Sequence, residues 1–266
     1  MLFRSTAVYA QTAADAKRYL QLGVVAAGVF GNLKFDAAPS PNQQAMGKGW
    51  RCQIGQPVVM LASSRDGEEA AFLNEITAIA QLNTRPTATE LIVNDSPSKY
   101  LIVPRHPQRF DAVAALVVQY GLKLSRRSSW HGSPLNDEAA MRADVWLGDT
   151  LGEMPLYYAL ADVALLGGSF EKLGGQNLIE AAACGCPVVL GPHTFNFADA
   201  ADLAVAAGAA QQVADMAGAV QWALQVVQDA VEQKRMAQSA LRFAAAHQGA
   251  TDRTIQALQP YLQRQG

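Results

Sequence analysis

From Pro57 onward two textures repeat along the chain. Short runs, most of them apolar throughout, read PVVMLAS, KYLIVPR, LKLSRRS, VWLGDT, DVALLGGS and PVVLGP. Between them lie stretches with helical spacing, among them GEEAAFLNEITAIAQL, PQRFDAVAALVVQYG, EMPLYYALA, GGQNLIEAAACG and NFADAADLAVAAG. Strand-like runs alternating with helical segments mean repeated β-α-β units and a parallel sheet. Strands that are apolar at every position are strands covered on both faces. The pattern therefore predicts a doubly wound parallel α/β sheet of about six strands, closed by an Ala- and Gln-rich helical stretch from Met216 to Gln265. Before residue 40 the order is strand, helix, strand (TAVYAQ, TAADAKRYLQLG, VFGNLKFD). The following AAPSPNQQAMGKGWRCQIGQ has no apolar period and reads as a hinge or connector. The expected division is 1–56 and 57–266.

Composition narrows the class without naming a chemistry. The 266 residues are 50% hydrophobic and 17% charged, with a formal net charge of -2. That excludes disorder and gives no basic excess for nucleic acid. No uninterrupted apolar stretch reaches a membrane-span length of about 18 residues, and MLFRSTAVYAQTAADAKRYL turns polar too early for a signal peptide. Three cysteines make no disulfide framework. Cys184 and Cys186 form only C-x-C, without partners at zinc-site spacing, and read as small buried residues. A reducing, cytoplasmic compartment and no metal are expected.

In an open parallel sheet, ligands bind outside the carboxyl ends of the strands. The residues there are SSRDGEE, PRHPQ, GDTLGEM, GGSFEKLGGQN and GPHTFNF, all polar or Gly-rich. Ser63, Gly167, Gly168 and Ser169 form a candidate donor or phosphate loop, since glycines let backbone amides approach an anion; tight turns alone would also use them. Asn177 and Glu180, three apart at the start of a helix expected near Gln176, share a face. A carboxylate there suits vicinal ribose hydroxyls, or merely offsets the helix dipole. Pro104 and Arg105 close one strand where a guanidinium can reach a phosphate, or simply meet solvent. The backbone of Gly152, Glu153 and Met154 could read a base edge or serve only as a cap. His131 and His193 stand alone, without metal or nucleophile spacing. The G-x-G-x-x-G, Walker and G-x-S-x-G patterns are all absent.

In order, GNLKFD, ASSRDGEE, PRHPQRF, GDTLGEMPLYYALADVALLGGSF and GGQNLIEAAACGCPVVLGPHTFNF resemble the 3-deoxy-D-manno-octulosonic acid (Kdo) transferases from about residue 1 to beyond Phe197. The resemblance implies the C-terminal, Rossmann-like half of a two-domain GT-B glycosyltransferase of lipopolysaccharide biosynthesis, with the last strand–helix piece of the N-terminal half. It implies CMP-Kdo as donor, no cofactor, and CMP contacts at Pro104, Arg105, Gly152, Glu153, Met154, Asn177 and Glu180. A lipid A precursor would be taken by the N-terminal domain, at the cytoplasmic face of the bacterial inner membrane. The family's general base is an N-terminal glutamate that no residue here matches, so no catalytic residue is expected in this portion, which would be inactive alone. Glu68, Glu69 and Glu171 are not substitutes. Two departures from the family pattern are Gln176, where the family often has His, and Leu178, where it often has Pro. Two alternatives remain at this point. One is a free-standing nucleotide-binding module. The other is a UDP-sugar GT-B enzyme, which the nine-residue spacing of Glu171 and Glu180 fits less well than the usual eight.

Overall fold

The computed structural model describes residues 5–36, 38–83 and 98–263. It divides into two units, Pro39–Leu241 and Met1–Ala38 with Arg242–Gly266, so the last 25 residues group with the first 38. In the smaller unit, β1 (Tyr9–Ala10) and β2 (Gly28–Val29) pair in parallel around α1 (Ala13–Gln21). Thr12 caps that helix by accepting the Asp15 amide at 3.1 Å. The Asp36 carboxylate accepts the amides of Gly249 and Thr251, and the buried Phe35 ring meets Phe243 and His247 at 5.5 and 4.9 Å. These contacts tie the chain's two ends into one unit.

The larger unit opens with α2 (Pro41–Gln53), where the sequence suggested a connector. This segment shows no apolar period because the buried face of its helix is Gly47 and Trp50. A glycine lets it lie directly on backbone: a Cβ on Gly47 would stand 2.3 Å from the Leu156 carbonyl oxygen. Then come β3 (Val58–Ser64), α3 (Glu68–Asn83), β4 (Lys99–Pro104), α4 (Phe110–Gln119), β5 (Leu124–Arg126), α5 (Glu138–Arg142) and β6 (Val145–Leu147). The second half adds α6 (Met154–Leu160), β7 (Val163–Leu166), α7 (Ile179–Ala183), β8 (Val188–Leu190), α8 (Ala198–Ala206) and β9 (Ala210–Gln212). Among the described residues the final helical stretch is divided into α9 (Met216–Gln228), α10 (Ala230–Ala246) and α11 (Ala250–Leu262). Its breaks fall where Asp229 accepts the Val231 and Glu232 amides, both at 3.0 Å, and where Gly249 takes φ 93°.

Among the described residues the sheet has seven parallel strands in the order β5-β6-β4-β3-β7-β8-β9, one more than the sequence pattern suggested. Val59, Leu61, Ile102, Leu147 and Leu165 from its strands are fully buried against Phe72, Leu73 and Ile76 of α3 and Val220 and Ala223 of α9. Each such aliphatic chain contributes about 1.5–3 kcal/mol. From β3 the chain builds outward through β4, then returns to add β7 on the opposite side. That reversal is a topological switch point, where the loops after β3 and β7 diverge and leave a crevice. Lys99, at the amino end of β4, is buried and donates its ammonium to the Met141 carbonyl at 2.7 Å and to that of Ala143.

Candidate nucleotide site at the carboxyl edge of the sheet

The switch-point loops meet through backbone. β3 bulges between Ala62 and Ser64, and the residue forced out of register, Ser63, takes φ 53°. A non-glycine residue in the left-handed region stores strain, which persists only where its surroundings hold it. Here they do. Gly167 lies so close that a Cβ would stand 2.5 Å from the Ser63 carbonyl oxygen, and the Gly167 amide donates to Ala62 at 2.8 Å. On the other side of β3, the Arg105 amide donates to the Ser64 carbonyl at 3.0 Å. The structure thus brings Ser63, Gly167, Pro104 and Arg105 to one edge. Pro104 is buried, whereas Arg105 is exposed and its guanidinium has no partner among the described residues.

The candidate phosphate loop is already engaged by a protein carboxylate. Glu68, only 1% exposed, accepts the Gly168 amide at 2.8 Å and the Arg65 amide at 2.9 Å on Oε2, and the Phe170 amide at 3.2 Å on Oε1. Burial is the larger influence and pushes this carboxyl up from its ordinary value, against those hydrogen bonds. Ser169 is likewise committed: its hydroxyl donates to Leu166 and accepts the Gly191 amide at 2.8 Å. Gly168 and Ser169 therefore shape the crevice and offer little free donor capacity. Glu69, beside Glu68, accepts the Ser64 hydroxyl at 2.8 Å and Arg109 at 2.9 Å. Both glutamates open α3, and the sequence reading gave them no role beyond excluding them as the catalytic base. The signal was an acidic pair directly after a polar strand end.

From Gly168 the framework runs onward. Its carbonyl accepts the Gly175 amide at 2.7 Å, and Gly174 and Gly175 both adopt positive φ. α7 starts at Ile179, not near Gln176 as the sequence suggested, so Asn177 precedes the helix. Its side-chain oxygen accepts the Ile179 amide at 3.1 Å, an Asx turn that diverts the backbone before the helix begins. Glu180 lies in the first turn of α7, half-buried, with no hydrogen-bond partner among the described residues. Burial pushes its carboxyl up from the ordinary value. A carboxylate left half-desolvated without a donor is costly in isolation and suited to a ligand that brings hydroxyls.

The third candidate segment, Gly152–Glu153–Met154, follows β6 and is braced from behind. Gln43 of α2 donates its side-chain amide to the Gly152 carbonyl at 2.9 Å. Glu153 accepts Arg127 at 2.8 Å and is also bonded by Thr150 and by the Tyr157 hydroxyl at 3.3 Å. The Arg127 guanidinium lies over Trp50 and Trp130 at 5.5 and 5.6 Å. Glu153 thus acts through its side chain as an anchor, and its carbonyl accepts the Tyr157 amide at 3.1 Å, which leaves its backbone amide for any base contact. Next to it, Asp149 accepts Arg126 at 2.6 Å and the Ser128 amide at 2.8 Å. Burial would raise this carboxyl, but the bonds from Ser128 and Arg126 outweigh it and hold it below its ordinary value.

Cys184 and Cys186 are buried, free thiols, as the sequence suggested, with burial pushing Cys184 up to about 12. His131 is exposed and His193 half-buried. Among the described residues no cluster of His, Cys, Asp or Glu could hold a metal ion, and no helix is long and apolar enough to cross a membrane.

No family model matches the chain. It is 49% identical over 255 residues to the 3-deoxy-D-manno-octulosonic acid transferase of Bordetella pertussis, covering 96% of this chain and 56% of that protein. To the enzyme of the same name from Haemophilus influenzae it is 30% identical over 266 residues, covering 97% of this chain and 57% of that one. Among solved structures, the C-terminal CMP-Kdo binding domain of WaaA from Acinetobacter baumannii is similar with a TM-score of 0.64 and 26% identity. That match covers 77% of this chain and 98% of that domain. Anabaena Alr3699/HepE, in complex with UDP-glucose, shares the fold alone: TM-score 0.54, 14% identity, 97% of this chain and 64% of that one. The chain spans little more than half the length of the transferases it matches. With a parallel α/β sheet and this degree of sequence identity over nearly its whole length, the chain is similar to the portion of the 3-deoxy-D-manno-octulosonic acid transferases that it spans.

Proposed function

We propose that this chain is the donor-binding portion of an inverting glycosyltransferase that moves Kdo from CMP-Kdo to a lipid A precursor. One observation carries the reading. Without a side-chain partner among the described residues, an exposed Arg105 directly after β4 and a half-buried Glu180 in the first turn of α7 stand at the carboxyl edge of one parallel sheet. Opposite charges left without partners fit a ligand with an anionic group at one end and hydroxyls at the other, which is a nucleoside monophosphate.

Arg105 neutralises the phosphate of CMP and the charge that grows on it as the glycosidic bond breaks. Glu180 accepts hydrogen bonds from the ribose hydroxyls, and Asn177 supports it from the preceding turn. The braced backbone of Gly152, Glu153 and Met154 reads the cytosine edge, while buried Pro104 fixes the direction in which Arg105 leaves the strand. Ser63 and Gly167 line the floor, and Gly168 and Ser169 give it shape. Because Glu68 already places a negative charge on the Gly168 amide, phosphate binding falls to Arg105.

Residues 1–38 answer, in this reading, to the strand–helix end of a partner domain. That domain would supply the acceptor site, the general base that activates the acceptor hydroxyl, and contact with the cytoplasmic face of the inner membrane. The donor-binding portion is then inactive by itself. The test is a calorimetric titration of CMP into the full chain and into Arg105→Ala and Glu180→Ala. Loss of one charge-assisted bond is worth about 1.5–3 kcal/mol, roughly 10- to 150-fold in affinity. CMP binding that neither variant changes refutes the site.

A further inference from the structure

The Glu68 carboxylate spans the crevice floor and belongs to no ligand contact. It links two segments 100 residues apart in sequence: the turn after β3 through the Arg65 amide, and the loop after β7 through Gly168 and Phe170. From Gly168 the connection continues through its carbonyl to the Gly175 amide and so to the turn carrying Asn177 and Glu180. On the other flank, the turn that Glu68 closes follows directly on the strained Ser63 and on Ser64, whose carbonyl holds the Arg105 amide. Both unpartnered ligand-facing groups thus trace back, in a few bonds, to one buried carboxylate.

Resting on the proposed nucleotide site, we infer that Glu68 is a positioning residue for it. Its carboxylate, held by the amides of Arg65, Gly168 and Phe170, fixes the spacing of the loops after β3 and β7, and with it the placement of Arg105 and Glu180. The requirement is for two acceptor oxygens. Oε2 takes two amides and Oε1 a third, so each oxygen is in use. Glutamine has the same shape but only one acceptor. Whichever way its amide turns, an NH2 group faces at least one backbone N–H, and the loops must part there. A residue that merely filled space would tolerate this exchange.

Glu68→Gln in the full chain tests the inference, with Lys99→Met as a control for lost stability. Lys99 is buried at the opposite, amino end of the sheet, where it bonds the Met141 and Ala143 carbonyls. CMP is titrated calorimetrically into wild type and both variants, and thermal unfolding is measured alongside. Glu68→Gln is expected to weaken CMP binding at least tenfold, and Lys99→Met to leave the affinity within twofold while lowering the melting temperature. In proton–nitrogen NMR spectra without ligand, the Gly168 and Phe170 amides of Glu68→Gln should move upfield from their charge-bonded positions. Should Glu68→Gln not fold, Glu68→Asp, one methylene short of Gly168, is read in the same way. Wild type that binds CMP with a variant that binds equally well overturns the positioning role and leaves the site standing. Wild type that binds no CMP overturns the site and this inference together, and unmoved Gly168 and Phe170 amides overturn the inference by themselves.

Discussion

At Gly47 α2 lies directly against the backbone of α6, and with Gly49 it offers a sharp pair of substitutions. A Cβ there would meet the Leu156 carbonyl oxygen at 2.3 Å, the Ala159 Cβ at 2.9 Å and the Leu160 nitrogen at 3.1 Å. Two of these three atoms are helix backbone, which cannot rotate away, so α2 must lift from α6 by about 1 Å to reach ordinary contact distance. Such overpacking costs about 1–3 kcal/mol. Alanine offsets part of that, because it favours the helix over glycine by about 0.8–1 kcal/mol. Gly49, two residues on in the same helix, has nothing within 4 Å of the same added atom. Gly49→Ala should therefore gain stability, up to about 1 kcal/mol, where Gly47→Ala loses up to about 2 kcal/mol as the net of those two effects. In urea unfolding followed by circular dichroism the two midpoints should move in opposite directions. The melting temperatures should shift by roughly 2–4 °C per kcal/mol for a unit of this size. Lifting α2 also withdraws the Gln43 amide from the Gly152 carbonyl, so CMP affinity should fall in Gly47→Ala alone. A Gly47→Ala variant as stable as Gly49→Ala would refute the close helix contact on which this reasoning rests.

Three further outcomes follow from the charged groups around the site. Glu180→Gln should raise the melting temperature of the ligand-free protein at pH 7 while weakening CMP. A carboxyl pushed up by burial stabilises the fold in its protonated form, and that advantage is lost as pH rises through the raised value. The difference in melting temperature from wild type should accordingly shrink toward pH 4, and a constant difference would contradict this. Asp149 has the opposite sign. Held below its ordinary value, it contributes stability above about pH 4 that disappears as pH falls through the lowered value. Asp149→Asn should cost about 1–3 kcal/mol at pH 7 and progressively less as the pH is taken below about 4, measured by urea unfolding across that range. Arg127→Lys keeps the charge opposite Glu153 but loses the flat guanidinium over Trp50 and Trp130. A loss of about 1–2 kcal/mol is expected in the same assay, and a neutral outcome would show that the stacking contributes nothing.

Most of the sheet was legible because a strand buried on both faces must be apolar at every position, and Val58–Ala62, Leu101–Val103 and Val163–Leu166 are. The same rule put the polar segments after those runs at the carboxyl edge, where Arg105 and Glu180 are found. What escaped was carried by geometry that has no period. α2 looked like a connector because its interface is made by the absence of a side chain at Gly47. The start of α7 moved because Asn177 spends its side chain on the Ile179 amide, a local competition that spacing does not reveal. Glu68 was invisible as a structural anion because its amide partners lie 100 residues away, beyond any local motif. The grouping of the terminal helix with residues 1–38 depends in the same way on Asp36 reaching Gly249 and Thr251.

The most direct test of the site is a competition between CMP and UDP for the full chain, followed by calorimetry. The base edges differ in donor and acceptor at two positions, the 4-amino or 4-oxo group and N3, and the braced backbone of Gly152–Met154 is the part proposed to sense them. The expected result is binding of CMP that UDP displaces only at much higher concentration, with CMP affinity falling in Arg105→Ala. Equal or tighter binding of UDP, or no binding of CMP by the folded protein, would contradict a cytidine monophosphate site at this edge of the sheet.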